Sequence, residues 1–441
     1  MGRGLLLTVS GLIIITSIIQ LNIRRANSAA PARNAEYFKA QQARNLTSSL
    51  IDNAVEKLKR DNNWTGSIQS DGNLPGAGTL WTFNESSSQF PNGISVDNWD
   101  EYQVLLYSES TFEDITIATE VLLRRDSFSK FSYFTESEIS AQGSDIFFFS
   151  QDELSGPIHT NEFFKIAGSP TFNGLVTAPE EYHAHSSFGA DPNFLGGTNF
   201  NAPTRPTPTS YEIGKLTSAA STGGLTYTNA IEVEFFTEQS FGNTVGKVLI
   251  SEYNRRGRLV GSPVELNLSS FNGIISSSKE ITTKGTVAGQ VTLHSERKVT
   301  ISGDIEYSDD PRSNPNSNDL LGIVSEGDVE IDVNAHRDNG TTDLNLQASI
   351  LALGSSFTVE NYQSGLRGDL NLLGGLVQRH RGPVGTFGGS GAVSGYLKNY
   401  EYDTRLASSV PPAFPRESVF SIVYWKDKDI ESTNSQVSAG I

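Results

Sequence analysis

The sequence predicts a mainly β protein carried by an N-terminal transmembrane and amphipathic α-helix. Its β-rich body reads as a parallel β-solenoid with inserted hairpins, with a β-sandwich as the alternative. Three observations predict this. The chain opens with a charge-free apolar run, Leu5–Ile23. Beyond residue 60 helix formers thin out, while Ser, Thr, Asn and the 41 glycines punctuate short β-branched stretches. An apolar–x–Gly–x–apolar unit recurs as Phe172-Gly174-Val176, Val287-Gly289-Val291, Ile301-Gly303-Ile305 and Leu372-Gly374-Leu376, with an echo in "SEGDVEIDV" at 325–333. Glycine permits a sharp bend between two short strands, and the flanking apolar residues share one interior. Repeating that unit stacks coil on coil.

The apolar run comes first. Its 19 residues, at about 1.5 Å each, span roughly 28 Å, about one hydrocarbon core. Three readings fit: a permanent anchor, an anchor cut just ahead of the run but left attached, or a secretory signal removed near Ala30. Arg24 and Arg25, between the run and Ala30, argue against the third. They also outnumber Arg3 on the other flank, which disfavours export of the body. The body's composition favours export, and export is the reading adopted. From Asn34 to Arg60 no Gly or Pro interrupts, and Leu46, Leu50, Ala54 and Leu58 line one helix face. That stripe is expected to pack against the body.

The organisation follows: anchor 1–25, amphipathic helix 26–62, small β domain 63–140, first coil rungs 141–180, an insertion with hairpins 181–275, further rungs 276–400 and a closing segment 401–441. "YQVLLYSE" and "DITIATEVLLRRD" suggest an antiparallel pair or small sandwich. "GKVLISEYNRRGRLVGSPVEL" reads as a hairpin turning at Asn254–Gly257, with Arg255, Arg256 and Arg258 at a solvated tip. "NAPTRPTPTS" at 201–210 reads as a loop. "YSDDPRSNPNSNDLL" at 307–321 reads as an insertion leaving one face of the coil.

Charge excludes one class of partner. Residues 1–60 carry 9 Lys+Arg against 3 Asp+Glu, and the rest carries 24 against 47. An acidic body repels phosphate, so no nucleic-acid partner is expected. The chain has no cysteine, which rules out disulfides, thiolate metal sites and Cys nucleophiles.

Candidate chemistry is sparse. His159 has no Ser or Cys nucleophile beside it in sequence and reads as a surface or turn residue between two rungs. His183 and His185 alternate, so on a strand they share a face, with Glu181 as a third metal ligand. Asp309, Asp310, Asn316 and Asp319 offer oxygen to calcium, but without the spacing of a calcium loop. Asp328, Glu330 and Asp332 also share a face, as carboxylates of a polysaccharide-active β-helix would, yet no basic residue pairs with them in sequence. No phosphate loop or dinucleotide fingerprint is present. No catalytic residue and no cofactor is expected, and no metal beyond these candidates.

Several segments together resemble a known family. "RGLLLTVSGLIIITSIIQLNI" followed by "NAEYFKAQQARNLTSSLIDNAVEKL" resembles the amino terminus of PilX-type minor pilins and related type IV pilus assembly proteins. "FSKFSYFTESE", "GPIHTN", "SPTFNGLVT" and "YEYDTRLASSVPPAFP" are similar to the body and closing segment of a poorly characterised branch. The resemblance touches about a third of the chain. It implies a non-enzymatic subunit of a pilus-like or type II secretion-like system, held in the membrane through residues 5–23. Its body would be exported and its partners would be other pilin-like subunits or secretion-machinery proteins. It places Gly4 before a prepilin cut and Leu5 as the first mature residue. Major pilins carry Glu at the fifth mature position, where this chain has Val9. A polysaccharide-active enzyme and a freestanding anchored adhesin or envelope scaffold are the alternatives.

Overall fold

The computed structural model describes residues 2–88, 90, 101–338, 340–389 and 391–429, apart from the side chains of 2–18, 21–30, 32 and 429. It is mainly β with few helices, and it divides into two compact units: 1–125 with 419–441, and 126–418.

The first unit is a helix on a sheet. One helix runs Gly2–Arg60, 59 residues, joining the stretches read as anchor and amphipathic helix. Lys57, Lys59 and Arg60 close it, complementing the negative end of the helix dipole. The anticipated stripe is buried: Leu46, Leu50, Ala54 and Leu58 are joined by Ala43 and Ile51, none more than 3% exposed. They pack on Leu80, Val104, Leu106, Val121 and Leu123. Those residues belong to a five-stranded sheet ordered Gly66–Gln69, Ala77–Phe83, Gln103–Phe112, Ile115–Ser127, Arg416–Asp429. The pair read from "YQVLLYSE" and "DITIATEVLLRRD" is antiparallel, Val104 facing Leu123 and Leu106 facing Val121. Gly78 lets helix and sheet approach: a Cβ there would sit 2.9 Å from Leu50 Cδ1.

The second unit is built on parallel columns. In the first column Thr226, Ser276, His294, Val324, Leu351 and Val377 stand in successive register. Phe134, His159, Thr177 and Asn199 continue it. A second column runs Ile231, Ile281, Val299, Val329, Phe357. A third runs Asn345, Asn371, Asn399, Glu153, Thr171, Asn193. All eight apolar residues of the four glycine-centred units are buried in one core cluster. At one corner Gly156, Gly174 and Gly196 stack: a Cβ on Gly174 would lie 1.6 Å from the carbonyl oxygen of Gly156. Only glycine lets neighbouring coils close there.

The coils do not follow chain order. Residues 133–199 form the far part of the first column. The chain returns through a loop to the helix Ser210–Gly223 and starts the near part at Leu225. The two runs meet where Leu376 pairs with Tyr133 and Asn399 pairs with Glu153. Buried ion pairs cross this seam. Arg381 donates to Glu138 at 2.9 Å, with side chains 2% and 0% exposed. Lys398 donates to Asp152 at 2.7 Å. The Arg381 guanidinium also lies 3.6 Å over the Phe148 ring. Each pair joins one run to the other, so the charges select which coils meet.

The helix Ser210–Gly223 was not expected from sequence. Its Ile213, Leu216 and Ala220 are buried against Ile274, Val324 and Leu351, covering the outward side of the first column. The hairpin at Asn254 is as read: Gly257 N–H donates to Asn254 C=O at 2.8 Å, and Val264–Asn267 returns antiparallel to Asn243–Tyr253.

Candidate functional site: an amide-lined cleft

Gly4 and Leu5 are described only as helical backbone, and most side chains of the apolar run are likewise outside the described atoms. Among the described residues, no helix is long and apolar enough to cross a membrane.

His159 is not a surface or turn residue. It is fully buried, because its rung lies under Phe131 and Phe134, whose rings sit 6.1 and 5.2 Å from the imidazole. Nε2 is 3.1 Å from Asn161 Oδ1, an acceptor that also takes Arg205 N–H, so Nε2 carries the proton. Nδ1 lies 2.8 Å from the Thr177 hydroxyl, which donates to the Ile158 carbonyl at 3.0 Å. Burial depresses the imidazole to a pKa of about 4.

The metal candidates are not gathered into a site. The His183 ring stacks on Phe163 at 3.7 Å. His185 packs edge-on against Phe147, and its Nδ1 accepts Ser187 N–H at 3.1 Å. Glu181 contributes no third ligand, and among the described residues no three His, Asp or Glu side chains converge as a metal would need. Asp310 is held by Arg312, whose guanidinium and backbone N–H both donate to it, lowering its carboxyl to about 2. Asp319 accepts Gly289 N–H through one oxygen and Asp309 N–H, at 2.9 Å, through the other. Asp309 in turn accepts the Asn314 amide at 2.7 Å. These carboxylates shape a loop.

The carboxylates of "GDVEIDV" serve the stack as well. Asp328 accepts Ser356 N–H and Asp332 accepts Asn334 N–H. The expectation that no base pairs with them fails at Glu330. Lys298, far in sequence, donates to it at 2.7 Å across one rung, because parallel pairing brings residues 299–301 beside 329–331.

One constellation was invisible in sequence. Ser276 Oγ lies 2.8 Å from His294 Nδ1, and His294 Nε2–H donates to Glu326 at 3.1 Å. Carboxylate, imidazole and hydroxyl thus stand in the order of a hydrolase relay. Ser276 is 5% exposed and His294 fully buried, on the column face that the helix Ser210–Gly223 packs. Nucleophilic attack needs a substrate carbonyl within about 3.5 Å of Oγ, and the packing leaves no room for one.

This unit also carries an open cleft of about 1130 Å³. One wall is the start of the strand Asn243–Tyr253, and another is the turn 268–273 with Phe271. The insertion 308–319 forms the rim. That insertion is fixed by its own polar groups. Asn314 N–H and Ser313 N–H donate to Asp310 C=O, Ser317 N–H donates to Asn314 C=O, and Arg405 donates to Ser317 C=O at 2.8 Å. Burial raises the Asp319 carboxyl above its ordinary value.

With this geometry in hand, comparisons with known proteins add little. A family model described as "Domain of unknown function (DUF4900)" matches residues 108–180. A search of curated proteins found no match. Among solved structures, the chain is similar to the competence-associated pilin ComZ from Thermus thermophilus at 11% identity. The alignment covers 83% of this chain and 86% of that one, with a TM-score of 0.28. A likeness that slight carries no inference about fold or role.

Proposed function

We propose that this chain is a non-enzymatic, minor pilin-like subunit of a type IV pilus-like or type II secretion-like system. Residues 5–23 hold it in the membrane, Gly4–Leu5 is its processing site, and its acidic β body is an exported parallel β-solenoid. Three parallel columns sharing one core support the solenoid reading.

The observation that carries the role is the N-terminal helix. From Ala43 onward it is packed on its own sheet, but from Arg33 to Phe38 six consecutive side chains are exposed, Tyr37 at 68% and Phe38 at 56%. Six residues exceed one full turn, so every side of the helix is largely open there, with Phe38 meeting Phe112 of the sheet edge-on at 6.3 Å between ring centroids. A helix so sparsely covered gains little from its own chain's packing. Neighbouring subunits or a membrane surface would supply that packing. The β body contributes display.

The test uses the native organism with its pilus-assembly ATPase deleted. Surface exposure of this chain, measured by antibody labelling of intact cells, is expected to fall to background. Unchanged labelling would instead identify a freestanding anchored adhesin. Turnover of a polysaccharide by the purified chain, lost on Asp328→Asn, would establish the enzyme alternative.

A further inference from the structure

We propose that the cleft rimmed by residues 308–319 binds an uncharged, polyhydroxylated ligand, a neutral glycan. The proposal stands whether the chain is assembled or freestanding, because the cleft lies wholly within the second unit.

Volume is the first observation. At about 1130 Å³ the cleft exceeds the roughly 300–1,000 Å³ of ordinary small-molecule pockets. It suits several linked sugar units better than one metabolite.

Lining chemistry is the second. Ser269, Gln290, Ser308, Asn316 and Asn318 all line the cleft and are exposed. Hydroxyl and carboxamide groups each donate and accept, as sugar hydroxyls do. Phe271 adds an aromatic surface for the apolar face of a sugar ring. No Lys, Arg or His is among the described residues lining the cleft. An anionic polysaccharide or a phosphate would therefore find no counter-charge. The two carboxylates present are engaged: Asp319 by two backbone N–H groups and Asp309 by the Asn314 amide. Those hydrogen bonds hold both carboxylates as fixed parts of the rim.

Preorganisation is the third. Asn314 Oδ1 accepts Asn316 N–H at 3.2 Å, and the Ser317 hydroxyl accepts Asp319 N–H at 3.2 Å. The backbone of the rim is thus tied down while the Asn316 and Asn318 side chains project from it. A fixed rim lowers the entropy cost of binding. The lining also holds Val245, Leu268, Ala288 and Pro412, an apolar surface open to a peptide as well as to sugar rings, and the test includes a peptide for that reason.

Full-length detergent-solubilised protein would be titrated by calorimetry against dextran, mannan, galactan and chitin oligosaccharides. Polygalacturonate, heparin and a Gly/Ser-rich peptide complete the panel. Binding to at least one neutral glycan is expected. It should weaken at least tenfold in the Asn316→Ala/Asn318→Ala double variant, and again in Ser308→Tyr, which puts a bulky ring into the cleft. Both changes are on exposed side chains, and an unchanged melting temperature verifies folding. Three results would overturn the assignment: no neutral glycan bound, binding confined to the anionic polymers or the peptide, or glycan binding unaffected by both variants.

Discussion

Replacing Arg381 with Met removes one charge from the seam and leaves Glu138, fully buried, facing a thioether. In the native chain Arg381 donates both to Glu138 at 2.9 Å and to the Ile146 carbonyl at 3.1 Å. Breaking a buried pair from one side costs about 3–5 kcal/mol, because the remaining charge stays desolvated. For a unit this large, about 2 °C of melting temperature is lost per kcal/mol, so Arg381→Met should melt about 6–10 °C lower. Adding Glu138→Gln removes the orphaned charge while keeping an acceptor for Thr135 and Tyr133, which both donate to Glu138 Oε1. The double variant should recover most of the loss. The assay is calorimetric unfolding of wild type, both single variants and the double. A melting temperature for Arg381→Met within about 1 °C of wild type would refute the reasoning. So would strict additivity of the two single changes, since the seam argument requires coupling.

Other expectations follow from the same packing. His159, at about 4 when folded and about 6.5 when unfolded, takes up a proton on unfolding between those values. The native state therefore loses up to about 3 kcal/mol as pH falls through that window. His159→Gln should flatten that part of a melting-temperature-versus-pH curve relative to wild type. Gly174→Ala should prevent soluble folding, since its Cβ would lie 1.6 Å from a carbonyl oxygen. Gly214→Ala, exposed in the helix Ser210–Gly223 with nothing within 4 Å of its Cβ, should stabilise by about 0.5–1 kcal/mol. Leu50→Ala should cost the first unit about 2–5 kcal/mol in a denaturant titration, given its 3% exposure.

What could be read from sequence was whatever the chain encodes locally. The Leu46–Leu58 stripe and the four glycine-centred units are short-range periodicities, and their side chains are in the cores. The Asn254 turn was visible for the same reason. Long-range pairings were not visible. Arg381 and Glu138 are 243 residues apart, Lys398 and Asp152 are 246, and Ser276 meets His294 only because parallel pairing offsets neighbours by a whole coil. His159 was misplaced because two phenylalanines on a neighbouring strand and turn, not its own sequence neighbours, bury it. The helix Ser210–Gly223 hid behind its Ser, Thr and Gly content. Its one signal was Ile213, Leu216 and Ala220 at helical spacing. The insertion 307–321 was legible as a loop, but its acidic residues suggested calcium. The structure spends those carboxylates on backbone N–H groups and Arg312, leaving the amides to face the cleft.

Assembly through a processed N-terminal helix is tested most directly by the mass of the amino-terminal peptide recovered from native membranes. The expected peptide begins at Leu5 and is N-methylated. A peptide beginning near Ala30 would mean that the apolar run is discarded and the body released, and it would contradict the subunit reading.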